Sequence, residues 1–157
     1  MTLKLNMMIL GLCAAAGLMA ADVHSDAGTA KNTAEKLLTE VKAARVASTD
    51  LAMQLKSKSA DMSKVTEDVA TVEKSAIAIQ SLMETLESKS GELYSKQQAN
   101  LSSAKQLSEL LNVFVANKKN LVADGATPEE RERIRAYALM VSQRADSLEK
   151  SIRRMAL

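Results

Sequence analysis

The chain has 157 residues, with 21 Lys plus Arg against 19 Asp plus Glu and a formal net charge of +2, a balance that supplies no basic face for nucleic acid. One histidine and one cysteine rule out most metal and nucleophile constellations, and 2% aromatic content without Trp leaves almost no platform for stacking a sugar or base. Length and a 46% hydrophobic share suffice for one domain with a sizeable core.

The first predicted segment is 1–21. Lys4 precedes an apolar run from Met7 to Ala21, interrupted only by Gly11 and Gly17, that ends in small residues before Asp22. A positive start, a short apolar stretch and a small-residue end are the layout of a secretory signal peptide. At fifteen residues the run is shorter than the roughly 20 needed to span a bilayer, so cleavage after Ala20 or Ala21 and a secreted or periplasmic location are expected. Cys13 follows Leu12, where lipid attachment would want a small residue, so no lipid anchor is expected and the mature chain has no thiol. Its stability must then come from packing and not from disulfides.

Residues 22–28 read as a flexible lead-in. If cleavage follows Ala21, Asp22, Val23 and His24 offer a free amine, two amide nitrogens and an imidazole, a square-planar set suited to Cu(II) or Ni(II). With the other cut the same residues are a solvated tail.

From 29 to 122 Ala, Leu, Glu, Lys, Gln and Met dominate and Pro is absent, which predicts helix. Taking Ala34 as position a of a heptad, the a and d columns run in phase to Leu111 and Phe114, and nineteen of their twenty-four positions are apolar. The flanking positions from Leu38 to Lys89 are apolar in only four of sixteen cases, so the stripe is narrow, as in a coiled-coil seam. Two sites could interrupt it. Leu51 to Met62 and Leu82 to Leu93 share a pattern of two leucines followed by Ser, Lys, Ser, offset by thirty-one residues, which marks 57–61 and 88–92 as candidate turns. Because the seam keeps phase through 57–61, continuity is expected there. A turn is expected at 88–92, where Gly91 coincides with the polar seam residues Ser90, Gln97 and Asn100.

Beyond Leu101 the apolar set broadens to Leu107, Leu110, Leu111, Val113, Phe114 and Val115, so this stretch faces more than one neighbour. Asp124 and Gly125 supply a stop, and Thr127, Pro128, Glu129 and Glu130 read as N-cap, N1, N2 and N3 of a capping box. The returning helix, 128–157, carries Ile134, Ala138, Val141, Ala145, Leu148, Ile152 and Met155 as its seam and packs antiparallel. It also holds six of the seven arginines. Arg131, Arg135, Arg144, Arg153 and Arg154 are the candidate contacts for an anionic partner. The competing reading pairs them with Glu129, Glu130, Glu132, Asp146 and Glu149 within the chain.

No catalytic residue, cofactor or further metal site is expected: serines lack a nearby base and the methionines are spaced singly along the helices. The fold expected is all-α, an elongated coiled coil or helical hairpin with the last helix packed antiparallel. The alternative is a compact up-down-up-down four-helix bundle, which requires both turns. In function this predicts an exported, non-enzymatic spacer, adaptor or chaperone-like interaction protein of the cell envelope, self-associating through the seam and meeting a protein partner or a membrane surface, with no nucleic acid. The alternative is a helical-bundle binding module for lipid or another apolar ligand.

Overall fold

The computed structural model describes residues 29–57, 59–116 and 127–155, and four α-helices account for most of them: α1 Ala30–Gln54, α2 Met62–Ser88, α3 Ser95–Ala116 and α4 Pro128–Arg154. The signal-peptide, lead-in and Asp22–His24 expectations fall outside these residues, as do the predicted stop at Asp124 and Gly125 and the end of the last helix.

The helices form an all-α, four-helix bundle. Each packs against two others, in the cyclic order α1, α2, α3, α4. Side-chain links give the sense of every pair: Gln54 to Asp68 and Ser75 to Glu40 join α1 to α2, Lys105 to Glu87 joins α3 to α2, Asn100 reaches Arg154 on α4, and Arg45 and Thr49 on α1 meet Glu149 and Ser142 on α4. Residue numbers rise on one helix as they fall on the other for α1 with α2, for α1 with α4 and, with Phe114 set on Tyr137 at the other end, for α3 with α4; α3 therefore runs parallel to α1 and antiparallel to α2, as up-down-up-down connectivity requires.

The core is the predicted seam. Leu37, Val41, Leu51, Val65, Val72, Ile79 and Leu86 are fully buried, as are Ile134, Val141 and Leu148. Alanines at Ala30, Ala34, Ala44 and Ala47 let α1 approach its neighbours closely. All seven residues assigned to the returning seam are buried, and the capping box on α4 is present: Glu130 N–H donates to the Thr127 hydroxyl at 3.2 Å and Thr127 N–H to the Glu130 carboxylate at 2.9 Å.

The uninterrupted helix expected through 57–61 is broken. α1 closes at Leu55, with Lys56 and Ser57 N–H groups reaching back three residues, and α2 opens at Asp61, whose carboxylate accepts from Ser63 N–H and Ser63 hydroxyl at 3.0 and 2.6 Å. The Ser63 hydroxyl and N–H hold that carboxyl below its ordinary range. Between Gln54 and Met62 lie seven residues, one heptad, so the turn leaves the phase untouched and periodicity cannot detect it. The narrow flanks misled in a second way. Ser75, a flanking residue counted as polar, is buried, and so is Ser48 in the a column; both are small enough to pack once satisfied, Ser48 on the Arg45 carbonyl and Ser75 on Glu40. The elongated arrangement therefore gives way to the compact bundle, and the seam proposed for self-association is covered by the chain's own helices.

The turn expected at 88–92 is there, as a 3-10 turn over Ser90–Glu92. Gly91 is not in the left-handed region, and no atom lies within 4 Å of where a Cβ would sit, so the turn is built by other means. Gln98 donates to the Ser90 and Leu93 carbonyls, Gln97 accepts from Tyr94 N–H, and Glu92 accepts from Ala30 N–H at 3.0 Å. That last bond satisfies a free donor at the start of α1 and ties both ends of the first hairpin together.

Candidate interaction surface

The second turn shifts the seam. In α3 the buried residues are Leu101, Ala104, Ser108, Leu111 and Val115, so the inward stripe moves off the old d column, leaving Leu107 and Phe114 partly buried on the flank. Phe114 stacks on Tyr137 of α4 with ring centroids 5.4 Å apart, and the Arg144 guanidinium covers Phe114 at 4.9 Å from the centroid. Burial of Tyr137, with a smaller contribution from the Glu73 charge, pushes its phenol pKa up to about 12.

The broadened apolar stretch of α3 exceeds what its two neighbours cover. Leu110 and Val113 remain 52% and 59% exposed, and Met140 on α4 is 41% exposed beside Leu107. On the other side of α3 a groove of about 440 Å³ opens against α2. Met83 and Val113 supply apolar wall, and Ser108 satisfies its hydroxyl on the Lys105 carbonyl at 2.8 Å. Glu84, Glu87, Glu109 and Lys105 stand at the same groove, Lys105 bonded to Glu87 at 2.8 Å. The Glu87 hydrogen bond and charge, then Glu109 and Glu84, raise the Lys105 pKa above its ordinary value.

The arginine set is not a single face. Arg135 pairs with Glu132 at 3.1 Å, Arg153 with Glu149 at 2.8 Å, and Arg144 lies over Phe114. Arg131 sits partly buried in the first turn of α4, and Arg154 is exposed in the last. Acidic residues at the start of α4 and Arg153 and Arg154 at its end both suit the helix dipole. Sequence reasoning missed Arg45, which reaches across from α1 to share the Glu149 carboxylate at 3.1 Å; no local signal announces a pair so far apart in the chain. It also missed the carboxylates of α2 and α3, which become a group only when the two helices lie side by side.

Among the described residues no group of three or more His, Cys, Asp or Glu side chains is placed to hold a metal ion, and no helix is long and apolar enough to cross a membrane. Fold and surface together define an all-α helical bundle with an apolar strip and an acidic-rimmed groove along one helix. No family model matches the chain, and comparison with curated proteins and with solved structures returns no similar chain.

Proposed function

We propose that this protein is an exported, non-enzymatic helical-bundle interaction module, an adaptor or chaperone-like clamp of the cell envelope, that engages a protein partner along α3. One observation carries the reading: Leu110 and Val113 stand more than half exposed on the helix whose apolar residues outnumber those its neighbours can bury, next to an open groove. A rod-like spacer draws less support, since the seam that would have extended it is used within the chain. A lipid contact through the arginines also draws less, because Arg135, Arg144 and Arg153 are engaged by Glu132, Phe114 and Glu149.

The test is site-specific photocrosslinking in cells making the full chain. A benzophenone side chain at Leu110 or Val113 is expected to give a discrete protein adduct that the same group at Ile77, 67% exposed on α2, does not give. Identical adduct patterns at all three positions, or none at any, would sink the reading. Mass spectrometry of the released protein, expected to begin at Ala21 or Asp22, checks export.

A further inference from the structure

The groove between α2 and α3 carries its own selectivity. Three carboxylates, Glu84, Glu87 and Glu109, face one ammonium, that of Lys105. The rim is therefore anionic overall, and the one cation in it is a primary amine already accepted by a carboxylate at 2.8 Å. Lys105 is an internal example of the group this rim binds. A fatty-acid carboxylate or an acidic lipid head group brought here would meet like charge.

Shape selects further. Gln80 to Glu87 on α2 and Lys105 to Ala116 on α3 line the groove, and at 1.5 Å per residue the longer wall runs about 16 Å. That is about three turns of helix laid between two helices, the ordinary way a third helix packs on a pair, with apolar anchors at helical spacing on Met83 and Val113 and polar flanks over the rim. Met83, only 3% exposed and part of the core, forms the adaptable floor of the groove.

We propose that the α2–α3 groove seats a basic amphipathic helix of a partner protein, its apolar stripe against Met83 and Val113 and its lysines or arginines against Glu84 and Glu109. This rests on α3 being the interaction surface and adds the chemistry of what docks there.

The experiment titrates the full mature chain with a dye-labelled amphipathic peptide of about eighteen residues made only of Leu and Lys, read by fluorescence anisotropy. Saturable one-to-one binding is expected. The double variant Glu84→Lys, Glu109→Lys should weaken it at least about tenfold, while the same charge change at the exposed Glu35 and Glu67 should cost less than about threefold. Val113→Ser, uncharged and at an exposed position, should weaken it severalfold; none of these side chains is in the core, so each variant should keep the wild-type circular dichroism. Equal loss from the two double variants would mean generic charge attraction and overturns the proposal, as does absence of binding. Binding that is lost in Leu110→Ser and indifferent to Glu84, Glu109 and Val113 overturns the groove while leaving α3 as the surface. Tighter association of the wild type with anionic phosphatidylglycerol vesicles than with the peptide would overturn both. Self-association in the absence of peptide, abolished by the Glu84 and Glu109 changes, would assign the groove to a second copy and overturn the occupant proposed here.

Discussion

Replacing Glu149 by Ala should cost about 2 kcal/mol of folding stability, a value that follows from who holds its carboxylate and how wet the holders are. The Glu149 side chain is only 10% exposed, and it accepts from Arg45 Nε at 3.1 Å and from two Arg153 nitrogens at 3.0 and 2.8 Å. Charge-assisted hydrogen bonds of this kind contribute about 1.5–3 kcal/mol when buried, and stranding a buried charge costs about 3–5 kcal/mol. The second figure does not apply. Arg45 and Arg153 are 39% and 54% exposed, so both guanidiniums regain water when the carboxylate goes. The two arginines should also differ. Arg45 joins α1 to α4 and should couple to Glu149 by about 1 kcal/mol in a double-mutant cycle, whereas Arg153, four residues away on the same helix, should couple by only about 0.3–0.5 kcal/mol. Urea unfolding followed by circular dichroism measures both, with the denaturant slope checked for constancy. A loss under about 0.5 kcal/mol for Glu149→Ala, or equal coupling to both arginines, would refute the reasoning.

Other consequences are as direct. Desolvation and the neighbouring Asp50 charge raise the Asp68 pKa against the hydrogen bond from Gln54; a raised folded value means this carboxyl favours folding below its ordinary pKa and costs stability once pH passes the folded value. Asp68→Asn should therefore be more stable than wild type at pH 7, with the difference gone by about pH 3; an unchanged urea midpoint at pH 7 contradicts this. Gly91→Ala should stabilise by about 0.4–1 kcal/mol, since the position needs no left-handed backbone and has room for a Cβ; a destabilised variant in the same urea assay would mean that the turn depends on glycine. The Tyr137 phenol, with its pKa pushed up to about 12, keeps its stabilising neutral form below about pH 10 and loses it as pH rises through the folded value. Tyr137→Phe should flatten the alkaline fall in thermal midpoint over that interval, and parallel falls in variant and wild type would clear the phenol of responsibility.

Much of this fold was legible where the signal is local. Thr127, Pro128 and Glu130 announced the start of α4 because a capping box is written in four consecutive residues, and Ile134 to Met155 declared a buried face by spacing alone. The α1–α2 turn was marked by the thirty-one-residue repeat yet outweighed by the unbroken seam, for a definite reason. A link one heptad long is silent to the seven-residue repeat, and the cues that remain, the thirty-one-residue repeat with Ser57, Ser59 and the N-cap Asp61, are weak without knowing that the chain reverses there. The second turn was found through Gly91, though Glu92, Gln97 and Gln98 do the holding; Gln97, read as a flaw in the seam, is a cap. The shift of the α3 core onto Leu101, Ser108 and Val115 follows from that turn and could not be read ahead of it. The groove rim lay further out of reach, since Glu84 and Glu109 meet only after two helices are docked.

The seven-residue link between α1 and α2 has a consequence for how this fold is chosen. Because it is one heptad long and contains neither Gly nor Pro, the buried stripe of α1 runs into that of α2 in the same phase whether the link bends or winds into helix. Core side chains are thus indifferent between a hairpin closed on itself and a straight rod whose uncovered stripe requires a second chain. The solvent-facing groups that hold the bend are the Ser57 and Ser59 hydroxyls, bonded to each other at 3.1 Å, and the Asp61 carboxylate capping α2. Surface groups that contribute nothing to the interior thus help to set the topology of this molecule, alongside Leu55 of the link, which is buried.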